Sequence, residues 1–469
     1  MSTHPSRNEA RFSLGEIATV VAGELRGPKD LAVVGVGTDS RALWPGALFV
    51  ALRGERFDGH TFLPAAATRA AAAIVRRDYE PPASLASFPL IRVDDPLAAL
   101  GALARAHRDR FPELRLGAVT GSNGKTTTKE LAAAVLEAAF GKTLKTEGNL
   151  NNEIGLPLTL LRLDASHRAA CVEMGMNHPG EIARLTAIAR PRAGLVTCAQ
   201  PVHLQGLGSV EGVARAKGEL YAGLEEDAIA VVNADDPLMV EQARRSGRRC
   251  LSFGGSGADV ALERIVSTGR EGIVFEVRIR GGRPRPVRLR LVGAHNAKNA
   301  CAAMALGLAL GASEDAVVAG VENARGAARR LELRPAPGGV TVLDDCYNAN
   351  PASTVAALRT AGELAAPGRL FAVLGDLLEL GEYEERGHEE VGRAAAAAKV
   401  SALVAFGPRA RTIARTAREA GVDEILETDD PAEALDWLRA RLREGDLVLL
   451  KASRGMRLER IADPLVEGA

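Results

Sequence analysis

The chain of 469 residues is 46% hydrophobic and 25% charged, and its 59 basic side chains are balanced by 59 acidic ones. These proportions are typical of globular proteins, and the length corresponds to about two to four domains. Because the formal net charge is +0, nothing in the composition indicates a nucleic-acid partner, which usually requires a basic face.

The cysteines and the apolar runs indicate the cellular setting. The five cysteines are scattered, in a pattern that is neither a disulfide framework nor a zinc site and that suits a reducing cytoplasm. Residues 1–12 have no apolar core, so we do not expect them to be a signal peptide. The most apolar helical pattern, CAAMALGLALGA, is too short to span a bilayer. We therefore expect a cytoplasmic protein without membrane insertion.

The first two predicted units are of α/β type. Residues 1–93 alternate short strand-like runs with turns and helical segments, and we place a domain boundary near Asp94. A helical pattern, DPLAALGALARAHRDRF, then opens a second unit, residues 94–325. Its apolar runs RAACVEMG, AGLVTCAQ and DAIAVVNADD have the length and composition of strands buried on both faces of a parallel sheet.

The end of the second unit and the third unit follow in the same way. The segment GIVFEVRIRGGRPRPVRLRLVG alternates apolar and polar residues around a Gly-Gly turn, which predicts a half-exposed antiparallel hairpin. AHNAKNACAAMALGLALG predicts a helix, and ENARGAARRLEL predicts a linker. Strand–helix alternation resumes over residues 326–469, which predicts a second, largely parallel sheet. Interfaces between two such units commonly hold a ligand and commonly move.

One stretch, AVTGSNGKTTTKELAAAVL, combines a strand, a glycine-rich turn and a helix. The first turn of a helix has free N–H groups and a partial positive charge, so this arrangement can bind an anion. Lys125 adds a cation for the β- and γ-phosphates of a nucleotide, and the Thr126 hydroxyl can reach a Mg²⁺ ion bound to them. The residues predicted to bind the phosphates are Gly121, Ser122, Asn123, Gly124, Lys125, Thr126 and Thr127.

This loop departs from the general phosphate-loop spacing at one position. The general pattern places a glycine five residues before Gly124, where this chain has Val119. The alternative interpretation is a glycine-rich turn that happens to precede a lysine. Because strand, loop, lysine, threonine and helix coincide, we favour phosphate binding.

Three further residues are candidates for the chemistry. Glu173 ends a predicted buried strand, where catalytic carboxylates often lie in α/β folds, although it could equally be a carboxylate on the rim of the sheet. His203 lies in a glycine-rich loop and Lys217 on the following helix. Taken singly, a loop histidine is usually a surface residue and a helical lysine is usually solvated.

Together these segments resemble the Mur ligase family, the ATP-dependent amide-forming enzymes of peptidoglycan synthesis, over nearly the whole chain. The matching segments are TGSNGKTT, VEMG, the loop histidine, the helical lysine and GAHNAKNACAA. Arg330 and Asp345 match the family's linker arginine and ribose-binding aspartate. The resemblance implies an N-terminal domain for the UDP end of the substrate, a central ATP-binding domain with a mostly parallel sheet, and a C-terminal Rossmann-like domain.

Within the family, four segments resemble the branch that adds D-alanyl-D-alanine to UDP-N-acetylmuramoyl tripeptide: TEGNLNNEIGLPLTLL, EMGMNHPGEI, DDCYNANPAS and VLGDLLELG. TDSRALWPGALFVALRGERFDGHTF resembles a module that holds the UDP-sugar end. The Asp-Asn-Pro-Arg signature of the sister that adds the third amino acid does not occur in the sequence. The folate polyglutamate relatives have Lys-Gly-Ser where this chain has Lys125-Thr126-Thr127.

The resemblance also implies roles for the residues. Thr126 would hold a first Mg²⁺, and Glu173, His203 and Lys217, the lysine as a carbamate, would form a second metal region. Asn296 and Asn299 share a helix face because they lie three apart, and they match adenine contacts, with polar residues of a helix start as the alternative. Arg330 would bind a phosphate of the nucleotide, and Asp345 would bind its ribose. Ser40, Arg41 and Asn152 would contact the UDP-sugar; for these three, the alternative is that they are ordinary loop residues.

The implied reaction activates the tripeptide carboxylate as an acyl phosphate, which the amine of the dipeptide then attacks. Carboxylate and γ-phosphate repel by roughly 4 kcal/mol at about 4 Å and an effective dielectric constant near 20, a cost that Lys125 and two Mg²⁺ ions would remove. We expect a monomer. Two alternatives stay open: a protein that hydrolyses ATP to move its domains, and a sister ligase for a different amino acid.

Overall fold

The computed structural model describes residues 7–54, 57–201 and 204–468. Within these ranges the chain forms four sheets in three successive units. Each unit is of α/β type, as the sequence predicted. Among the residues that the structure describes, no helix is long and apolar enough to cross a bilayer.

The N-terminal unit has a five-stranded sheet of order β2-β7-β6-β5-β4 and a two-stranded sheet that pairs β1 with β3. Only β2 runs antiparallel in the larger sheet. Its elements are β1 (Arg11–Ser13), α1 (Leu14–Val20), β2 (Glu24–Arg26), β3 (Ala32–Val34), β4 (Val36–Gly37), β5 (Leu48–Val50), α2 (Leu63–Ala66), β6 (Ala72–Arg76) and β7 (Leu90–Val93), with 3-10 turns at Gly59–Phe62 and Ala83–Leu85.

The central unit has a nine-stranded sheet of order β16-β15-β14-β13-β12-β11-β8-β10-β9. Its elements are α3 (Pro96–Asp109), β8 (Arg115–Thr120), α4 (Lys125–Phe140), β9 (Thr143–Lys145), α5 (Gly155–Leu160), β10 (Ala169–Glu173), α6 (Glu181–Ala189), β11 (Ala193–Val196), α7 (Leu204–Leu207), α8 (Val210–Ala222), β12 (Ile229–Asn233), α9 (Pro237–Ser246), β13 (Arg249–Gly254), β14 (Val260–Gly269), β15 (Gly272–Ile279), β16 (Arg285–Leu289), α10 (His295–Ala309) and α11 (Glu314–Asn323). The strands from β9 to β14 are parallel neighbours, so their carboxyl ends meet at one edge of the sheet.

The predicted hairpin is confirmed. Strands β15 and β16 pair antiparallel, with Phe275 opposite Val287. Along β15, buried residues alternate with partly exposed ones, because one face packs against the helices of the unit. The hairpin therefore closes one side of the central sheet without reaching the edge where the carboxyl ends of the parallel strands meet.

The C-terminal unit has a six-stranded sheet of order β17-β18-β22-β19-β20-β21, parallel except for β17. Its elements are β17 (Glu332–Ala336), β18 (Val340–Asp344), α12 (Pro351–Ala365), β19 (Leu370–Gly375), α13 (Glu384–Ala397), β20 (Val400–Phe406), α14 (Arg411–Glu419), β21 (Glu424–Thr428), α15 (Pro431–Arg439), β22 (Leu447–Lys451) and α16 (Glu459–Glu467), with 3-10 turns at Pro337–Gly339, Gly381–Tyr383 and Arg454–Met456.

The linker is shorter than the sequence predicted. Helix α11 continues to Asn323, and β17 begins at Glu332, inside the predicted linker segment. β17 is an edge strand with no fully buried residue, so it gives no apolar pattern in the sequence. The segment that joins the central and C-terminal units is therefore residues 324–331.

Candidate active site

The carboxyl ends of the central strands face the C-terminal unit across a cavity of about 1030 Å³. The cavity lies where ligands bind in open α/β sheets. Its walls come from the glycine-rich loop, the ends of β10 and β12, the start of α10, the linker and the loop after β18. The candidate residues that line it are Ser122, Asn123, Gly124, Lys125, Thr126, Thr127, Asn152, Glu173, Lys217, Asn296, Asn299, Arg330 and Asp345.

The glycine-rich loop is held tightly against its neighbours. Gly121 has a φ of +146°, and a Cβ there would lie 1.8 Å from the Thr197 hydroxyl oxygen. Gly124, with φ +78°, caps α4 in the left-handed conformation, and a Cβ there would lie 2.7 Å from Asn299 Oδ1. Val119, which replaces the glycine of the general pattern, is buried within β8 opposite Glu173. Because β8 continues through this position to Thr120, the loop that follows is shorter than in the general pattern.

Lys125 begins α4 and turns back over the loop. Its Nζ donates to the carbonyl oxygens of Gly121 at 2.8 Å and Ser122 at 3.4 Å. Burial lowers the pKa of Lys125, Glu173 opposes this shift, and Arg330 adds to it. The lysine thus lies at the N-terminus of α4, where the free N–H groups of a first helical turn can bind a phosphate.

Glu173 ends β10 and is 2% exposed. Its Oε1 accepts a hydrogen bond from Asn151 Nδ2 at 2.8 Å, and its backbone N–H donates to the Thr146 hydroxyl at 2.9 Å. Its Oε2 is buried and has no hydrogen-bond partner within the described ranges. A buried carboxylate oxygen without a partner is costly, and it fits a cation as its missing partner.

Lys217 lies on α8, as predicted, with its side chain 2% exposed. The structure gives it no hydrogen bond or ion pair with any described residue. Burial, and to a smaller extent the Lys125 charge, lowers the pKa of Lys217 well below its ordinary value. It is therefore not the solvated helical lysine of the alternative interpretation. His203, predicted beside it, lies outside the described residues.

The start of α10 brings the two predicted asparagines together. Asn299 Nδ2 donates to Asn296 Oδ1 at 2.9 Å, and Asn296 Nδ2 donates to the Val292 carbonyl at 2.8 Å. Asn299 lies directly against the loop glycine, Gly124, and both asparagines line the cavity. Their amide groups form one polar face beside the phosphate loop.

The linker and the C-terminal unit complete the cavity. Arg330 Nη2 lies 3.5 Å from the Thr126 hydroxyl, and its guanidinium packs on the Tyr347 ring at 4.4 Å. Its Nε is buried without a partner in the described structure. Asp345 Oδ2 accepts from Lys451 Nζ at 2.5 Å, and both side chains are almost fully buried.

Sequence reasoning missed several residues of this site. Asn350 Nδ2 donates to Asn123 Oδ1 at 2.7 Å, which joins the C-terminal unit directly to the phosphate loop. Tyr347, Lys451 and Asn151 were also missed. The available signal was position: Lys451 ends an apolar strand in the same way that Glu173 does.

The residues predicted for the UDP-sugar lie in two places. Asn152 lines the cavity, and its Oδ1 accepts from the Gly155 backbone N–H at 2.8 Å at the start of α5. Ser40 and Arg41 lie in a turn of the N-terminal unit, outside the cavity lining. Arg41 is largely exposed and pairs with Asp39 at 2.8 Å. The structure therefore does not bring these three residues together.

Fold and site define an α/β enzyme that can hold a nucleotide between two domains. Three family models match the chain: "Mur ligase family, catalytic domain" over residues 32–108, "Mur ligase middle domain" over 119–307, and "Mur ligase, glutamate ligase domain" over 329–454. The chain belongs to the Mur ligase family. The resemblance seen in the sequence is confirmed, and with it the expectation of an ATP-dependent ligase.

Several relatives that share one enzyme name match this chain over nearly their full length. The UDP-N-acetylmuramoyl-tripeptide–D-alanyl-D-alanine ligase of Bacillus subtilis (strain 168) is 38% identical, over 96% of this chain and 97% of the relative. That of Escherichia coli (strain K12) is also 38% identical, over 97% and 98%. A crystal structure of MurF from Acinetobacter baumannii is similar with a TM-score of 0.88 and 32% identity, covering 98% of this chain and 100% of that one. MurF from Thermotoga maritima in complex with ADP has a TM-score of 0.80 and 30% identity, over 92% and 97%.

Proposed function

We propose that this chain joins D-alanyl-D-alanine to UDP-N-acetylmuramoyl tripeptide at the expense of ATP, in the synthesis of peptidoglycan precursors. The relatives that match over nearly their full length are named for this reaction, as UDP-N-acetylmuramoyl-tripeptide–D-alanyl-D-alanine ligases. The observation that carries the proposal is one cavity that combines a phosphate loop with two buried polar atoms, Glu173 Oε2 and Arg330 Nε, that have no hydrogen-bond partner among the described residues. One is suited to a cation and the other to an anion, as a Mg²⁺-bound nucleotide would provide.

The cavity fits the charge problem of this reaction. Carboxylate and γ-phosphate are both anionic, and their repulsion of roughly 4 kcal/mol at about 4 Å must be offset before the acyl phosphate can form. Lys125 and Arg330 place two cations at the loop, the first against the Gly121 carbonyl and the second beside the Thr126 hydroxyl. Catalysis would then consist of positioning and charge neutralisation, followed by attack of the dipeptide amine and loss of phosphate.

The donor groups fit Mg²⁺, which prefers oxygen ligands. Thr126 would hold one ion with the phosphates, and Glu173, His203 and Lys217 would hold a second. Bound there, the ions would supply positive charge beside the reacting oxygens. Lys217 suits this region only as a carbamate, since an ammonium would repel the metal whereas a carbamate offers oxygens. Burial lowers the pKa of Lys217 and thus favours a neutral amine, the form that reacts with CO₂.

The remaining contacts divide between the ends of the substrates. We assign the adenine to Asn296 and Asn299, the ribose to Asp345 and a phosphate to Arg330, all of which line the cavity. We assign the UDP-sugar to Ser40, Arg41 and Asn152. The corresponding domains are residues 1–93, 94–325 and 326–469. The cytoplasmic location and the monomeric state stay predictions.

A product assay tests the proposal. Purified protein is given ATP, Mg²⁺ and UDP-N-acetylmuramoyl tripeptides with different third residues, together with either D-alanyl-D-alanine or D-alanine. We expect phosphate release and a UDP-pentapeptide mass only with the dipeptide. Efficient use of the single amino acid would indicate a sister ligase, and phosphate release without either substrate would indicate an ATP-driven domain switch.

A further inference from the structure

Four charged side chains form a connected cluster where the linker enters the C-terminal unit. Arg329 donates from Nη1 to Asp344 Oδ2 at 3.0 Å and from Nη2 to both oxygens of Asp463, at 3.0 and 2.8 Å. Arg334 donates from Nη1 to the same two carboxylates, at 3.0 and 2.8 Å. We call these four residues the linker cluster. None of them lines the cavity.

The linker cluster and the active site share one stretch of backbone. Asp344 and Asp345 are consecutive at the end of β18, where successive side chains point to opposite faces of the sheet. Asp344 is fully buried in the cluster, whereas Asp345 turns to the cavity and pairs with Lys451. Arg329 and Arg330 divide in the same way: the first binds the cluster, and the second reaches the phosphate loop. A shift of the cluster would therefore move the site residues.

The backbone around Arg330 has an unusual conformation. Arg329 has a φ of +58° and Leu331 a φ of +51°, a region that residues with a Cβ rarely adopt. Such a conformation persists only where the surroundings determine it. The cluster holds the Arg329 side chain, and the Leu331 N–H donates to Asp345 Oδ1 at 3.3 Å. Arg330 thus lies between two anchored residues.

Without these anchors a linker residue would be a poor phosphate ligand. Residues 324–329 and 331 belong to no helix or strand. If this segment were not anchored, the Arg330 guanidinium would have no fixed position. Binding groups act well only when held within about 0.5 Å of their productive geometry. Arg330 meets this condition through its neighbours, because its own contacts are the Tyr347 ring and the Thr126 hydroxyl.

We propose that the linker cluster fixes Arg330 to the C-terminal domain, so that domain closure delivers this guanidinium to the nucleotide phosphates. Arg329, Arg334, Asp344 and Asp463 are then positioning residues, which act through Arg330 without touching the substrates. The proposal rests on the nucleotide role proposed above for Arg330. It assigns a function in the reaction to a group of charges outside the cavity.

The opposing explanation is that the cluster only stabilises the C-terminal domain. A matched pair exists in the same sheet. Arg369 donates from Nε and Nη2 to Asp446 at 3.1 and 2.6 Å, and the Asp446 side chain is 3% exposed. Asp446 precedes β22, at the opposite end of the strand from Lys451. Breaking this pair perturbs a comparable interaction without reaching Arg330.

A double-mutant cycle separates the two explanations. Asp463→Asn is made alone and in an Arg330→Ala background, and kcat, KM for ATP and the affinity for a non-hydrolysable ATP analogue are measured. If the cluster acts through Arg330, Asp463→Asn lowers kcat/KM for ATP by about tenfold in the otherwise unchanged protein. In the Arg330→Ala background the same substitution lowers it by less than about twofold. Asp446→Asn should change these quantities by the same factor in both backgrounds.

An equal loss from Asp463→Asn in both backgrounds would overturn the proposal, because a purely structural effect is independent of Arg330. Arg334→Gln, which removes the other bridging arginine, repeats the cycle if Asp463→Asn does not fold. The analogue affinity also keeps the two proposals apart. A protein that shows the coupling in nucleotide binding but does not ligate the dipeptide would contradict the proposed function and leave the positioning role standing.

Discussion

Replacing Lys217 by methionine should stabilise the protein and abolish ligation at the same time. The lysine side chain is 2% exposed and has no hydrogen bond or ion pair among the described residues. Burial, followed by the Lys125 charge, lowers its pKa well below 10.5. A buried lysine with a lowered pKa reduces the free energy of unfolding. We therefore expect that Lys217 has a role in the reaction and not in stability.

The direction of the stability change follows from proton linkage. Because the folded pKa of Lys217 lies below the unfolded one, the unfolded chain binds more protons between the two values. The free energy of unfolding therefore rises with pH in that window, and the unmodified amine weakens the fold at neutral pH. Methionine of similar length removes the ammonium that burial disfavours, which we expect to raise the free energy of unfolding by about 1–3 kcal/mol. At about 2–4 °C per kcal/mol, the unfolding midpoint should rise by several degrees.

The loss of activity follows from the proposed carbamate. Methionine offers no oxygen to a metal, so we expect kcat to fall by at least about 100-fold. A short carboxylate added in solution should restore part of the activity of Lys217→Ala, because it replaces the missing oxygens. Lys217→Arg should stay inactive, since a guanidinium cannot carry the negative charge.

The assay compares thermal unfolding in metal-free, CO₂-depleted buffer across neutral to alkaline pH with turnover in bicarbonate buffer. A carbon-13 resonance from labelled bicarbonate reports the carbamate directly. Lys142→Met is the control, because Lys142 is exposed, pairs with Asp164 at 3.1 Å and precedes β9, at the end of the sheet away from the cavity. A Lys217→Met protein that is destabilised, or that keeps more than about a tenth of its activity, would refute the reasoning.

Three other outcomes can be measured. Lys125→Ala should fold normally and lose ligation by about 1,000-fold, because it removes a cation from the transferring phosphate; near-normal turnover of the folded variant would contradict the phosphate site. Lys451→Met should destabilise the C-terminal domain by about 3–5 kcal/mol, because it leaves the buried Asp345 uncompensated, and Asp345→Asn in the same chain should recover much of that loss in denaturant unfolding. Solution scattering should show compaction when an ATP analogue and UDP-tripeptide are added, and an unchanged radius of gyration would count against domain closure.

The parallel strands could be located from the sequence because burial on both faces leaves a plain pattern. β10 is an apolar run that ends at Glu173, and the apolar run of β11 is followed directly by Thr197; both polar residues line the cavity. Strand β17 could not be found in this way. Its sequence, ELRPA, has no buried residue, and it pairs only along one edge. Its start inside the predicted linker depends on the neighbouring β18, which the local sequence does not reveal.

The site was predictable where a local motif carries the chemistry, and not where distant segments meet. The phosphate loop combines strand, turn and helix within one stretch, so its function is visible in the sequence. The pairing of Lys451 with Asp345 joins residues 106 positions apart and depends on β22 lying beside β18. The Asn350–Asn123 contact spans 227 positions and two units. Such contacts follow from strand order and domain arrangement, which the hydrophobic periodicity of the sequence does not predict.

The positive charges of Lys125 and Arg330 imply that ATP binding favours closure of the cavity. Arg330, on the linker side, reaches the loop that holds Lys125, and its charge adds to the lowering of the Lys125 pKa. Two cations facing each other repel, so closure without a nucleotide works against this repulsion. A triphosphate between them would turn the repulsion into two attractions, and it would therefore bind more tightly to a closed arrangement than to an open one. By linkage, whatever holds Arg330 in place must also raise the affinity for ATP, and ATP must in turn favour closure.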